Sequence, residues 1–286
     1  MAAGELFGLL GPNGGGKTTL FKILATLLPV HGGAARILGH DVAREPAAVR
    51  RRLGVVFQHP SVDGLLTVEE NLVYHGYLYG LSGRALRARV DAVLARLGLG
   101  DRRRERVDRL SGGLRRRAEL AKALVVDAAV LLLDEPSTGL DPIARRDFLA
   151  HLRDLRAAEG ITIVLTTHDM EEAERCDRIA ILDGGRIVAE GAPEALKAQV
   201  GGDVIVMRAA GVEALREKVR ARFGLDGRLV DGTLRVERAR GHELVRDLIE
   251  AFPGEVQAIT YGKPTLDDVF VRLTGHRLSD TTPEGG

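Results

Sequence analysis

Unbroken apolar runs of strand length alternate along the chain with stretches whose apolar residues recur at helical spacing. Residues 5–10, 53–57, 130–133 and 161–167 read as buried strands, with a shorter strand at 35–38. Leu20, Ile23, Leu24, Leu27 and Leu28 predict a helix over residues 18–28. Leu86, Val90, Val93, Leu94 and Leu97 predict another from about residue 84, stopping at Gly98. Thr67-Val68-Glu69-Glu70 is a capping box, so a helix runs from there to about Tyr79. Asp141 as N-cap and Pro142 at the first helical position open a helix through Phe148, Leu149, Leu152 and Leu155. Further helices are expected at 46–52, at 114–125 and from Met170. Asp183-Gly184-Gly185-Arg186 is a hairpin turn between strands at 178–182 and 187–190. Strands alternating with helices imply an α/β fold with a largely parallel sheet.

The pattern changes after Gln199, where Gly201-Gly202 suggests a linker. The remaining chain reads as strand (204–208), helix (212–223), hairpin (228–238), helix (243–252), strand (255–261) and helix (265–274). That βαββαβ order is the order of a small ferredoxin-like α+β module. It carries no obvious catalytic set, and residues 280–286 read as a disordered tail.

Composition narrows the function classes. The 286 residues are 45% apolar and 28% charged, the balance of a globular protein with a substantial core. Lys plus Arg is 41 against 40 for Asp plus Glu, so charge gives no argument for a nucleic-acid partner, and none is expected. Cys176 is the single cysteine, which excludes an intrachain disulfide and a Cys-rich metal site. No apolar run approaches the ~20 residues needed to cross a bilayer. The first ten residues lack the basic start and cleavage site of a signal peptide. Any membrane part of the activity is therefore expected from another chain. Residues 101–117 carry eight arginines against three acids, read mostly as a solvated helical face.

The chemistry begins at Gly11-Pro12-Asn13-Gly14-Gly15-Gly16-Lys17-Thr18-Thr19, which fits the phosphate-binding loop G-x-x-x-x-G-K-[ST] between a strand and a helix. The glycines let backbone N–H groups ring a phosphate, and the helix start near Lys17 points its positive dipole end at the same anion. Lys17 can reach the β- and γ-phosphates. The Thr18 hydroxyl suits Mg²⁺, a hard cation that takes oxygen.

Four features narrow "nucleotide" further. The apolar strand at 130–133 delivers Asp134 to its C-terminal end, where it can hold Mg²⁺ directly or through water. Glu135 follows at once and can take a proton from a water attacking the γ-phosphate. His168 also ends a strand and can contact the γ-phosphate or hold that water. Leu110-Ser111-Gly112-Gly113 before a helix is a second anion-binding geometry, which a dimer capping its partner's nucleotide would use. Tyr74, Tyr77 and Tyr79 fall in one helix, either as core or as an amphipathic docking surface.

The order GPNGGGKTT, Gln58, LSGG, VLLLDEP, STGLD and TTH resembles that of the ATP-binding-cassette (ABC) ATPases over residues 4–200. The resemblance implies a P-loop NTPase fold of the ABC type with a helical subdomain at about 60–125. It implies an ATP-hydrolysing subunit with ATP and Mg²⁺, acting as a homodimer beneath a separate membrane permease, at the cytoplasmic face of the cell membrane. In that family Gln58 would sense Mg²⁺ and water, and Ser111, Gly112 and Gly113 would bind the γ-phosphate in trans. Asp141 would lie at the dimer interface, Glu135 would be the base and His168 the switch residue. Residues 67–109 would dock a coupling helix of the permease. The segment Thr265-Leu266-Asp267-Asp268-Val269-Phe270 and LSGGLRRR resemble the daunorubicin/doxorubicin-resistance exporters, implying efflux of a drug or other amphipathic small molecule. Export of a polysaccharide or lipid-like substrate, an ABC ATPase of DNA repair or translation, and a weakly hydrolysing nucleotide-binding regulator are the alternatives.

The expected domains are 1–200 (ATPase), 201–279 (accessory α+β) and 280–286 (tail). Only three residues precede Gly4, where the family has antiparallel strands and an aromatic that stacks on adenine. Stacking of that kind contributes ~1–3 kcal/mol on nucleic acids, so its lack would weaken ATP binding roughly five- to hundredfold. The expectation is a start upstream, against a truncated protein of weakened affinity.

Overall fold

The computed structural model describes residues 1–278; the expected tail at 280–286 lies outside them. Contacts divide the chain into two compact units, Met1–Leu10 with Gly16–Arg178, and Gly11–Gly15 with Ile179 onward.

The first unit contains β1 (Leu6–Leu10), α1 (Lys17–Leu24), β2 (Arg36–Ile37), β3 (His40–Asp41), α2 (Pro46–Arg52), β4 (Leu53–Val56), α3 (Val68–Leu78), α4 (Gly83–Arg96), α5 (Gly112–Leu124), β5 (Val130–Asp134), α6 (Pro142–Glu159), β6 (Thr162–Thr167) and α7 (Met170–Glu174). Strands β4, β5, β6 and β1 pair in parallel in that order. All residues of β1, β5 and β6 are buried, as expected of strands covered on both faces. The register places Val56 beside Leu133 and Asp134 beside Thr166, so the C-terminal ends of β4, β5 and β6 come out together. Ligands of open α/β sheets sit at that edge.

Packing behind the edge is tight. Leu131 is fully buried, and its Cδ2 fills the space where a Cβ on Gly54 would fall, only 2.6 Å away. Leu131→Ala is expected to destabilise the protein by about 3 kcal/mol, read from the shift in a urea unfolding midpoint.

Local signals place the helix starts. Thr67 and Glu70 form the reciprocal capping box at α3, and Asp141 accepts from the Ile143 and Ala144 amides at α6. One expected helix is shorter than its spacing predicts. Helix α1 stops at Leu24, because Thr26 turns left-handed (φ +61°) and the Leu27 and Leu28 amides close back onto the Lys22 carbonyl. Leu27 and Leu28 are consequently exposed, and α1 buries Lys17 and Phe21 instead.

The second unit contains β7 (Arg178–Asp183), β8 (Arg186–Gly191), α8 (Pro193–Lys197), β9 (Asp203–Ala209), α9 (Val212–Phe223), β10 (Arg228–Val230), β11 (Thr233–Arg238), α10 (Gly241–Ala251), β12 (Val256–Gly262) and α11 (Leu266–Thr274). Gly184 and Gly185 both have positive φ, which closes the β7–β8 hairpin. The short α8, started by Pro193, is not apparent in the apolar spacing. Gly201 and Gly202, the expected linker, lie within this unit at the entry to β9.

The later strands pair antiparallel in the order β10-β11-β9-β12. That is the ferredoxin-like order the βαββαβ reading predicts. Ile205, Met207, Leu234 and Val236 point one way into a core shared with Leu215 and Leu244. Arg235, between them in β11, pairs with Asp267 and Asp268 of α11.

Candidate active site

The phosphate-loop residues form a turn followed by a helix start. The Gly15 amide donates to the Pro12 carbonyl at 3.2 Å. Gly14 and Gly16 have φ of +77° and +90°, and nothing lies within 4 Å of where a Cβ would stand on either. A Cβ on Gly11 would fall 2.5 Å from the Leu182 carbonyl oxygen, so glycine is required there by close approach. Gly16, at the N-cap of α1, makes no side-chain capping hydrogen bond, and the positive end of the helix dipole faces the loop there.

In the first unit the structure gathers Lys17, Asp134, Glu135 and His168 at one strand edge. Lys17 is 4% exposed, and its Nζ lies 3.4 Å from Glu135 Oε1. His168 Nδ1 lies 3.3 Å from Glu135 Oε2, and the Thr138 hydroxyl donates to the same oxygen at 3.3 Å. Thr166 Oγ1 ties the two acids together. It donates to Asp134 Oδ1 at 2.6 Å and accepts from the Glu135 amide at 2.9 Å. Glu135 itself has φ +45°, left-handed for a residue with a Cβ.

Electrostatics follow from these neighbours. The His168 hydrogen bond holds the Glu135 carboxyl below its ordinary range against burial, with Lys17 adding to the effect. The same hydrogen bond raises His168. Burial lowers Lys17, and the charge of Glu135 opposes it. Glu135 is thus ionised across the neutral range, the state a proton acceptor needs.

Asp134 Oδ2 is buried and has no hydrogen-bond partner. A buried carboxylate oxygen without a donor calls for a cation. Among the described residues no group of three or more His, Cys, Asp or Glu could enclose a metal. The unpartnered Asp134 oxygen is a hard donor of the type Mg²⁺ takes, an ion that binds through one or two protein oxygens plus substrate phosphates and water.

Ser111, Gly112, Gly113 and Asp141 form a second group. Ser111 caps α5, accepting from the Leu114 amide at 3.4 Å, and a Cβ on Gly113 would lie 3.1 Å from that of Ala144 in α6. The N-termini of α5 and α6 thus border a shallow cleft of about 340 Å³, lined by Ser111, Gly113, Arg117 and Asp141 among others. Gln58 follows β4 and is exposed, two residues past Val56 as Glu135 is two past Leu133. Tyr74, Tyr77 and Tyr79 are each 41–54% exposed and the neighbouring Leu78 is 83% exposed, so the core reading of these tyrosines does not hold.

Several residues around the site carry no signal in the sequence pattern. Arg116, one of the arginines expected on a solvated face, is buried and bonded to the carbonyls that follow β4 and β5. Ser137, just past Glu135, donates to Glu172 of α7. Burial raises Glu172 to about 7. A folded-state value above the unfolded one means this contribution to stability is full below about pH 4.5 and is lost as pH rises through about 7. Glu172→Gln removes that loss. Relative to the parent it is expected to gain up to roughly 3 kcal/mol between pH 5 and pH 8, measured by denaturant unfolding at each pH.

Comparison with known proteins supplies an independent line. A family model described as ABC transporter matches residues 1–138. The daunorubicin resistance ATP-binding protein DrrA3 of Streptomyces coeruleorubidus is 44% identical, covering 96% of this chain and 89% of that protein. The Nod factor export ATP-binding protein I of Paraburkholderia xenovorans (strain LB400) is 41% identical, covering 98% and 91%. Among solved structures, cbiO1 from Clostridium perfringens, part of the ABC transporter complex cbiONQ, aligns with a TM-score of 0.65 at 28% identity over 78% of this chain and 86% of that one.

Proposed function

This chain belongs to the ABC transporter family as an ATP-binding, ATP-hydrolysing subunit, and from that premise we propose that it works with a membrane permease and powers efflux of a drug or other amphipathic small molecule. The relative at 44% identity named for daunorubicin resistance supports the drug class. The Nod factor relatives at 41% support a second reading, export of a polysaccharide or lipid-like molecule. Among the described residues no helix is long and apolar enough to cross a membrane. As the ATP-binding subunit, the chain would sit at the cytoplasmic face of the cell membrane, bound to its permease.

The observation that carries the mechanism is the Glu135 carboxylate held between Lys17 at 3.4 Å and His168 at 3.3 Å. In the proposed cycle the glycine-rich loop, residues 11–19, receives the ATP phosphates on its backbone amides, and Lys17 leaves Glu135 for the β- and γ-phosphates. Asp134 Oδ2 and the Thr18 hydroxyl would hold Mg²⁺, with Gln58 beside it, and the ion would neutralise phosphate charge as the γ-phosphoryl departs. Glu135, released from Lys17, accepts the proton of the attacking water, and His168 holds that water or the γ-phosphate. Ser111, Gly112 and Gly113 supply a second set of donors to the γ-phosphate of a partner copy, with Asp141 at the join. Two copies then enclose two ATP. Residues 1–200 act as the ATPase domain and 201–279 as an accessory domain. The exposed Tyr74, Tyr77 and Leu78 face of α3 suits an apolar coupling helix of the permease.

The test is ATP turnover by the purified chain, alone and reconstituted with a candidate ABC permease in proteoliposomes. Stimulation by the permease, and further by an amphipathic drug, is the expected result. Turnover that neither responds to a permease nor drives transport would contradict the export reading.

A further inference from the structure

We propose that Arg116 is a positioning residue for hydrolysis, holding the backbone around Glu135 in its left-handed conformation. The inference rests on Glu135 being the base.

All five guanidinium N–H groups have an acceptor. Nε donates to the Pro136 carbonyl at 2.6 Å. Nη1 donates to the Phe57 carbonyl at 2.9 Å and to Glu119 Oε2 at 2.5 Å. Nη2 donates to the carbonyls of Glu135 at 3.2 Å and Asp134 at 3.4 Å. Three successive carbonyls, those of Asp134, Glu135 and Pro136, thus converge on one cation. Strand continuation would point alternate carbonyls to opposite sides. The turn at Glu135, with φ +45°, breaks that alternation.

A non-glycine residue persists there only when its surroundings enforce it. Two clamps do so from opposite sides. Thr166 accepts from the Glu135 amide, and Arg116 donates to its carbonyl. The peptide that carries the base is thereby fixed at both its polar ends.

Arg116 also joins separate parts of the site. It stands in α5, five residues after Ser111, and its bond to Phe57 O fixes the residue before Gln58. One buried side chain therefore ties the helix begun by Ser111, the segment bearing Gln58 and the turn bearing Glu135. Glu119, 2% exposed, keeps the guanidinium charge compensated. Lysine cannot replace it. An ammonium has three donors on a flexible stem, whereas five acceptors here surround a planar fork.

The experiment is single-turnover ATP hydrolysis with ATP affinity measured separately, for the parent, Arg116→Lys, Glu135→Gln and the double variant. Arg116→Lys is expected to slow hydrolysis about 10- to 100-fold, with the Kd for ATP moving less than about threefold, because a small misplacement of a catalytic group costs rate rather than binding. If Arg116 acts through Glu135, the double variant hydrolyses no more slowly than Glu135→Gln alone. Normal hydrolysis by Arg116→Lys, a parallel loss of affinity and rate, or independent multiplication of the two effects overturns the proposal and leaves the base assignment intact. Normal hydrolysis by Glu135→Gln overturns both. Should Arg116→Lys fail to fold, Arg116→Gln with Glu119→Gln removes both buried charges together, and the same criteria apply.

Discussion

Glu135→Gln is expected to lower ATP turnover by at least about 100-fold while ATP still binds, since a positioned general base contributes ~10²–10⁴ in rate. The glutamine keeps the shape of the side chain and loses its charge and basicity. In the parent, the carboxylate sits 3.4 Å from Lys17 and 3.3 Å from His168, so the His168 hydrogen bond and the Lys17 charge favour its ionised form. The amide no longer attracts Lys17, which frees the lysine for phosphate. The variant is therefore expected to bind ATP at least as tightly and to accumulate as a closed dimer on size-exclusion chromatography with Mg·ATP. Near-normal turnover by Glu135→Gln would remove the base from this residue. A second consequence concerns pH. Because Glu135 lies below the ordinary carboxylate range, its protonation does not set the neutral limb of the rate profile.

Lys17→Ala is expected to raise the Kd for ATP about 30- to 4,000-fold and to take hydrolysis below detection. Lys17 is 4% exposed and stands at the first turn of α1, where helix amides and ammonium meet the same anion. Removing one partner of a buried charged hydrogen bond costs ~2–5 kcal/mol, which sets that range. The substitution also leaves Glu135, 8% exposed, without its lysine. Titration with a fluorescent ATP analogue, with unfolding followed in parallel, separates lost phosphate contact from lost fold. An unchanged Kd would mean that the phosphates lie elsewhere.

The parts of the site legible in the sequence are those whose signals are local. The glycine-rich loop before an amphipathic helix, the Thr67–Glu70 box, the Asp141-Pro142 cap and the Gly184-Gly185 hairpin each encode their own geometry within a few residues. The apolar runs ending at Asp134 and Thr167 likewise announce which side chains reach the strand edge. Non-local interactions leave no such mark. Arg116 sits among eight arginines and differs from them only through carbonyls 18 to 59 residues away in sequence. The Lys17–Glu135 pair spans two strand ends that only the parallel pairing brings together. The end of α1 is hidden because Leu27 and Leu28 continue the helical spacing, while Thr26 turns the backbone out of it. Apolar period reports which face a helix buries, and it does not report where a C-terminal left-handed residue ends the helix. Tyr74 and Tyr77 of α3, with Tyr79 at its C-terminal cap, show the same limit. Their composition suits either core or interface, and exposure decides between them.

A catalytic site completed by a second copy of the chain is tested most directly by the steady-state ATP hydrolysis rate per molecule, measured against protein concentration with Mg²⁺ and saturating ATP. The predicted result is a rate per molecule that rises with concentration and then levels off as dimers form, and that vanishes in Lys17→Ala. A rate per molecule independent of concentration down to the lowest level assayed, with the protein monomeric under those conditions, would contradict the composite site.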